Sequence, residues 1–134
     1  MIVTLTLPYP VQANHMFTVA RGRKIISPKY RAWKKLAREA TARHCGAIKG
    51  PFLVAIEIDR PDRRKRDLDN LIKPVLDALS PERIKTEAGM VEKTPGVIRD
   101  DSDAEQIVTR WSTRQPGKGA VVRVSLWPFE RRAA

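Results

Sequence analysis

Residues 52–79 read FLVAIEIDRPDRRKRDLDNLIKPVLDAL and contain a strand pattern, a cationic run and a helix pattern in succession. In residues 52–58 every second side chain from position 54 is apolar and β-branched, which predicts a strand with one buried face. Residues 60–66 hold five cations and one anion and cannot form part of a core. Beyond them, apolar residues recur at the spacing of an amphipathic helix ending at Ser80. These residues are Leu68, Leu71, Ile72, Val75, Leu76 and Leu79.

The N-terminal part of the chain adds a strand and a second helix. Residues 2–7 alternate in the same way and predict a strand. Residues 11–26 contain turn formers without lasting periodicity, which predicts a loop or a loose hairpin. Ser27 followed by Pro28 is a strong start signal, so a helix is predicted over 28–45. One side of this helix packs, and the rest of its surface is cationic: Lys29, Arg31, Lys34, Lys35, Arg38 and Arg43.

The C-terminal part predicts further strands. Residues 80–99 are polar and are interrupted by two prolines and two glycines, which predicts a long loop. Residues 107–113 and 120–127 are predicted to form a terminal hairpin, followed by a frayed tail over 128–134. We find no internal repeat in the sequence. Residues 1–134 are therefore predicted to form a single α+β domain with a small mixed sheet of about four strands and two main helices.

Composition limits the possible functions. The 134 residues carry 26 Lys and Arg against 15 Asp and Glu, a formal charge of +11, which predicts a polyanionic partner such as nucleic acid. The single Cys45 cannot close an intramolecular disulfide. No apolar run approaches the roughly 18 residues of a membrane span. The N-terminus also lacks the pattern of a signal peptide, so we expect a cytosolic protein.

Carboxylates follow directly on the cationic run. Asp67 and Asp69 are two residues apart and point the same way if the backbone is extended, and Asp69 is a candidate helix N-cap. Lys73 lies at i+4 from Asp69, so the two share one helix face, and Asp77 lies one turn further on. Pro74 falls inside the predicted helix, where it bends the helix or delays its start.

Neighbouring carboxylates repel each other, and a hard divalent cation removes that penalty. Mg²⁺ takes one or two carboxylates together with water and phosphate oxygens, whereas zinc favours His and Cys. The few residues of the latter types, His15, His44 and Cys45, lack zinc-site spacing. Carboxylates flanked by cations therefore predict metal-assisted phosphodiester hydrolysis.

A second acidic cluster lies in residues 97–107, which read VIRDDSDAEQI. Its carboxylates either cap a turn or supply a third metal ligand beside Asp67 and Asp69.

The sequence resembles the RusA family of Holliday junction resolvases, which are crossover junction endodeoxyribonucleases. The resemblance is colinear from about residue 5 to residue 110. Its most specific segment is the arginine-rich run leading into Asp67-Leu68-Asp69-Asn70, with Lys73 four residues after the second aspartate. Supporting segments are Leu7-Pro8-Tyr9-Pro10, Asn14, Arg21-Gly22-Arg23, Ser27, Tyr30, Asp77-Ala78-Leu79, Gly96-Val97, Asp100-Asp101 and Gln106-Ile107.

The resemblance implies an activity, a cofactor and a set of site residues. The catalytic acids and metal ligands would be Asp67, Asp69 and Asp101, and the essential lysine would be Lys73. Four residues separate Asp101 from Gln106, more than in the shortest family pattern, so Asp100 or Asp103 is an alternative third ligand. The family implies cleavage of four-way junctions by a homodimer with Mg²⁺, or with Mn²⁺ as its substitute. The DNA-binding residues would be Asn14, Arg21, Arg23, Lys24, Arg63, Arg64, Lys65 and Arg66.

Two other interpretations remain open at this point. A non-catalytic nucleic-acid-binding protein would use Asp67 and Asp69 as helix caps, which leaves unexplained why acids follow the most basic run. A metal nuclease acting on other branched DNA or on RNA would use the same residues, because a motif defines the chemistry more firmly than the substrate. The family also suggests a nucleoid-associated protein of phage or prophage origin.

Overall fold

A computed structural model describes residues 2–130. The strands and helices follow each other along the chain as β1 (Val3–Pro8), β2 (Phe17–Ala20), β3 (Arg23–Ile26), α1 (Pro28–Thr41), β4 (Phe52–Ile58), α2 (Ile72–Leu79), β5 (Glu82–Thr86), β6 (Gly89–Thr94), β7 (Ala104–Trp111) and β8 (Val121–Pro128). This confirms an α+β fold with two main helices and strand β4 over the predicted residues. In this part of the chain no helix is long and apolar enough to cross a membrane.

Four strands form a mixed sheet in the order β1-β8-β4-β7. Strand β8 pairs antiparallel with both β1 and β4, whereas β7 runs parallel to β4. The predicted terminal hairpin of β7 and β8 is therefore wrong, because β4 lies between them. The connection over 112–120 crosses the end of β4, where the Ser112 N–H donates to the Ile58 carbonyl at 2.8 Å and the Gly117 N–H donates to Arg60 at 3.1 Å.

Helix α1 covers one face of the sheet and contacts β1 and α2. Its start is as predicted: the Ser27 hydroxyl accepts from the Tyr30 N–H at 3.2 Å, and Pro28 occupies the first turn, where its missing N–H costs nothing. The helix ends at Thr41 and a 3-10 turn over Ala42–His44 follows, so the prediction of one helix to residue 45 is too long.

Helix α2 begins later than its apolar pattern. A 3-10 turn over Leu68–Leu71 precedes it, and this turn contains Asp69. The N-cap prediction for Asp69 is wrong, since Leu71 occupies that position without a side-chain cap. Pro74 falls in the first turn of α2, where its missing N–H removes no helical hydrogen bond, and the late start of the helix is one of the two effects predicted for this proline. The helix ends before Ser80, as predicted.

Two hairpins complete the fold. Strands β2 and β3 form a hairpin, one of the two structures predicted for residues 11–26, with a turn at Arg21 and Gly22, both at positive φ. Strands β5 and β6 form a second hairpin inside the predicted loop 80–99, which corrects that prediction. This hairpin is largely exposed to solvent, so its sequence lacks the apolar alternation that identifies a half-buried strand.

The core fills the space between the helices and the inner face of the sheet. Its completely buried side chains include Leu7, Phe52, Leu79 and Leu126. Strand β8 ends at Pro128, and residues 131–134 of the predicted frayed tail lie outside the described residues.

Candidate active site

The cationic loop is anchored where it leaves β4. Asp59 is 5% exposed, accepts from the Arg123 guanidinium and from the Ser112 hydroxyl at 2.6 Å, and receives the Val121 N–H at 3.3 Å. The Arg123 hydrogen bond is the main reason why the pKa of Asp59 falls to about 2. A buried, fully bonded carboxylate at this point fixes the direction in which residues 60–66 leave the sheet.

Three cations of this loop, Arg63, Arg64 and Lys65, extend into solvent. Arg66 differs from them, because its guanidinium donates to Asp62 at 2.7 Å and is half-buried. The same hydrogen bond is the main cause that lowers the pKa of Asp62. Among residues 2–130, Arg63, Arg64 and Lys65 make no ion pair, whereas Arg66 holds the shape of the loop and Arg60 lies 4.4 Å from the centre of the Trp111 ring.

The other predicted DNA-binding residues lie near the β2–β3 hairpin. Arg21, Arg23 and Lys24 are exposed on it, and the Lys24 ammonium lies 4.5 Å from the centre of the Phe17 ring. Asn14 is exposed in the 3-10 turn that precedes β2. Cations on this hairpin and on the loop after β4 therefore form two separate basic segments.

Asp67 and Asp69 are exposed at the start of the 3-10 turn before α2. Within residues 2–130 neither carboxylate has a hydrogen-bond or ion-pair partner. The predicted proximity of Asp69 and Lys73 does not produce an ion pair in this part of the chain, because Asp69 lies in a 3-10 turn, whose tighter winding aligns residue i with i+3 rather than with i+4. Both aspartates are thus available to ligands from solvent.

Lys73 lies between two other carboxylates. Its Nζ atom is 3.1 Å from Asp77 Oδ1 and 3.3 Å from Asp101 Oδ2. The hydrogen bond to Asp77, followed by that to Asp101, raises the pKa of Lys73 above its ordinary value despite partial burial. The structure therefore brings together Lys73 and Asp101, which the sequence analysis had selected, and keeps the lysine positively charged.

The three aspartates of the second acidic cluster have different environments. Asp103 is 9% exposed, and both of its oxygens accept from Arg99 at 3.0 Å. Asp100 accepts from the Ser102 hydroxyl, which lowers the pKa of Asp100. Asp101 faces Lys73. Arg99 binds both oxygens of the buried Asp103, whereas Lys73 contacts only Oδ2 of the more exposed Asp101, so the geometry favours Asp101 over Asp103 as a candidate ligand.

A polar cleft of about 290 Å³ opens beside Lys73. Its lining contains acids and cations in equal number: Asp77, Glu82, Asp100 and Asp101 with Lys34, Arg38, Lys73 and Arg83. Lys34 and Arg38 were absent from the predicted site residues, although their i, i+4 spacing on the basic face of α1 places them together. Arg83 belongs to the unpredicted β5–β6 hairpin and carried no recognisable signal.

The donor chemistry of the site suits a hard cation. No group of three His, Cys, Asp or Glu side chains among residues 2–130 is arranged to hold a metal ion by itself. Mg²⁺ requires less, since it commonly binds one or two carboxylates and completes its shell with water and substrate phosphate. Asp67 and Asp69 fit that requirement, because both are exposed and neither carboxylate has a partner among the described residues.

Fold and site together define a small, basic α+β protein with a cleft of acids and cations around Lys73 and with two exposed aspartates, Asp67 and Asp69, that directly follow a cationic loop in the sequence. A sequence profile of the family described as Endodeoxyribonuclease RusA matches residues 8–124, and the chain belongs to this RusA family. The resemblance noted in the sequence is thereby confirmed.

Several relatives support this assignment. A protein of Enterobacteria phage 82 named crossover junction endodeoxyribonuclease rusA is 40% identical over 85 residues, which cover 57% of this chain and 65% of the relative. Proteins named crossover junction endodeoxyribonuclease RusA from Shigella sonnei and Escherichia coli K12 are 37% and 38% identical over 81 residues, covering 58% of this chain and 66% of each relative. The aligned part thus spans slightly less than two thirds of these relatives.

Proposed function

We propose that the protein is a Mg²⁺-dependent endonuclease that resolves four-way DNA junctions by paired symmetric nicks. The observation that carries this proposal is the exposure of Asp67 and Asp69 directly after the most cationic segment, with no partner for either carboxylate in the described part of the chain. Acids at this position weaken phosphate binding unless a metal ion bridges them to the DNA. The names of the RusA relatives support the same substrate.

Each group has a defined task in this proposal. Mg²⁺ held by Asp67 and Asp69, with Asp101 as third candidate ligand, would supply Lewis-acid chemistry at the scissile phosphate, and Mn²⁺ would substitute for it. Lys73 places a fixed positive charge beside Asp101, where it stabilises charge that develops on the phosphate. The exposed Arg63, Arg64 and Lys65 bind the DNA backbone without reading its sequence.

We also infer that the active form is a homodimer. Two symmetric nicks require two equivalent sites, whereas residues 2–130 contain one acid and lysine cluster. A two-fold dimer presents two such clusters to the two-fold symmetric junction. A DNA substrate further implies a cytoplasmic, nucleoid-associated protein, and the phage 82 relative supports a phage or prophage origin.

The decisive experiment compares wild type with Asp69→Asn on a mobile four-way junction and on a linear duplex of the same sequence, with Mg²⁺ or with EDTA. We expect paired nicks in the junction with wild type and Mg²⁺ only. The variant should bind the junction at least as well as wild type but not cleave it, because it loses a metal ligand and a negative charge. Glu87→Gln removes an exposed charge on the β5–β6 hairpin and serves as the control with normal cleavage.

The other outcomes separate the alternatives. Binding without cleavage by wild type would identify a non-catalytic DNA-binding protein. Metal-dependent cleavage without junction preference would retain the nuclease and assign another substrate. Cleavage by Asp69→Asn at the wild-type rate would contradict the role of Asp69.

A further inference from the structure

The hydroxyl of Tyr30 connects the first helix to the candidate active site. Tyr30 is 2% exposed, and its hydroxyl donates to Asp77 Oδ2 at 3.1 Å across 47 positions of sequence. The other oxygen of Asp77 lies 3.1 Å from the Lys73 ammonium. Asp77 thus uses one oxygen for α1 and the other for the lysine.

Packing determines where the Tyr30 hydroxyl lies. The ring of Tyr30 stacks on Trp33 with a centroid distance of 6.1 Å and an interplanar angle of 13°. Phe17 packs at a tilt with its centroid 6.4 Å away, and the backbone of Tyr30 is held by the Ser27 cap. A buried ring has few rotamers available, so the position of its hydroxyl is set by the core.

Lys73 lacks such packing of its own. Its side chain is 56% exposed, and four rotatable bonds separate its ammonium from α2. Two carboxylates, Asp77 and Asp101, limit where the ammonium can lie. Asp101 is also a candidate metal ligand and would take part in the reaction. Asp77 is therefore the carboxylate whose only task is to restrain the position of the Lys73 ammonium.

We propose that Tyr30 and Asp77 are positioning residues for Lys73: the Tyr30 hydroxyl orients Asp77, and Asp77 directs the lysine ammonium toward Asp101 and the phosphate bound there. The inference rests on the proposed nuclease function. It assigns to Tyr30 a task in the site in addition to its place in the core. Displacement of a positioned charge by about 1 Å is sufficient to slow catalysis strongly.

The test measures single-turnover cleavage and junction affinity for Tyr30→Phe, Lys73→Ala and the double variant. Tyr30→Phe should lower the cleavage rate by about tenfold or more and change the junction Kd by less than about twofold. In the Lys73→Ala background the same substitution should have no further effect on the rate, because its effect passes through the lysine. Additive losses, or a loss of affinity instead of rate, would overturn the proposal.

Tyr9→Phe is a matched control. Tyr9 also has a buried hydroxyl, but this hydroxyl has no hydrogen-bond partner among residues 2–130. The control should therefore cleave at the wild-type rate. If Tyr30→Phe fails to fold by thermal melting, Asp77→Asn replaces it in the same cycle, since its amide retains the shape but not the charge that holds Lys73.

A measurement without DNA separates this inference from the nuclease function. The ¹³C relaxation of the Lys73 ε-methylene reports the order of the lysine side chain. That order should decrease in Tyr30→Phe and not in Tyr9→Phe. Unchanged order refutes the positioning role even if the protein cleaves junctions, whereas decreased order in a protein that cleaves no DNA refutes only the proposed reaction.

Discussion

The Lys73 ammonium lies 3.3 Å from Asp101 Oδ2, although 28 positions of sequence separate the two residues. Helix α2 supplies the lysine, and the 3-10 turn before β7 supplies the aspartate. A cation next to Asp101 lowers the repulsion between this carboxylate and a phosphate that approaches it. The acidic side of the site is therefore compatible with a polyanionic substrate.

Replacing Lys73 by Ala should lower the cleavage rate far more than the junction affinity. One cation aimed at developing charge contributes about 10²-fold or more to such a rate, whereas a single exposed phosphate contact contributes much less. Single-turnover kinetics with enzyme in excess, so that all junction DNA is bound, measure the cleavage rate. Titration of the junction with the protein measures the affinity. Lys49→Ala, an exposed lysine outside the cleft, is the control. Weaker affinity with a normal rate on bound DNA would make Lys73 a simple phosphate contact.

Removal of the three exposed loop cations, Arg63, Arg64 and Lys65, should weaken binding to all DNA sequences alike. The slope of log K against log salt is negative, and each lost phosphate contact reduces its magnitude by about 0.9. The slope of the triple Ala variant should therefore be smaller in magnitude by up to about 2.7. The measurement is a salt titration of junction binding. Arg114 and Lys118, two exposed cations of the 112–120 connection, supply the control when changed to Ala. An unchanged slope would show that the loop does not contact the backbone.

Substitution of Asp59 by Asn should destabilise the fold by about 2 kcal/mol near neutral pH, because the folded-state pKa of about 2 is depressed from the ordinary 3.8. A depressed carboxyl pKa adds stability above the unfolded-state value and loses it as the pH falls toward the folded-state value. Wild type should therefore lose more stability than the variant between roughly pH 5 and pH 2. Urea melts across this range test the prediction, and parallel curves would contradict it.

Gly96→Ala should destabilise the protein by about 1–3 kcal/mol, the usual cost of overpacking. A Cβ at this position would lie 2.5 Å from backbone atoms of Leu79, Ser80 and Pro81, at the C-terminal end of α2. The backbone at Leu79 cannot shift without cost, because the Ile98 N–H donates a hydrogen bond to the Leu79 carbonyl at 3.1 Å. Thermal or urea melts should show normal stability for Gly119→Ala, where no atom lies within 4 Å of the added methyl. Equal stability of both variants would refute the clash.

Local signals predicted a large part of the fold. Alternation identified β4 to the residue, and the Ser27 and Pro28 pair identified the first residue of α1. Pairing between distant strands was not predictable from the sequence. Because β7 and β8 follow each other along the chain across a short turn, a hairpin was predicted, whereas β7 in fact pairs parallel with β4. The β5–β6 hairpin was not predicted, because it has no buried face and its sequence therefore shows no apolar alternation.

The sequence predicted which residues belong to the candidate site better than it predicted the contacts between them. The sequence led to Lys73 and Asp101, and the structure brings these two side chains together. The contact between Tyr30 and Asp77 was not foreseen, because an aromatic residue at a core spacing of α1 gives no indication that its hydroxyl reaches another helix. The assignment of Asp67 and Asp69 to a metal ion stays a prediction.

The position of β8 has a consequence for biosynthesis. This strand is the last of the described strands to leave the ribosome, yet it lies inside the sheet and joins β1 to β4. Until it emerges, β1 lacks its partner strand in the sheet, so the core cannot be completed before residues 121–128 have left the ribosome. A ribosome stalled before residue 121 should therefore hold a protease-sensitive chain.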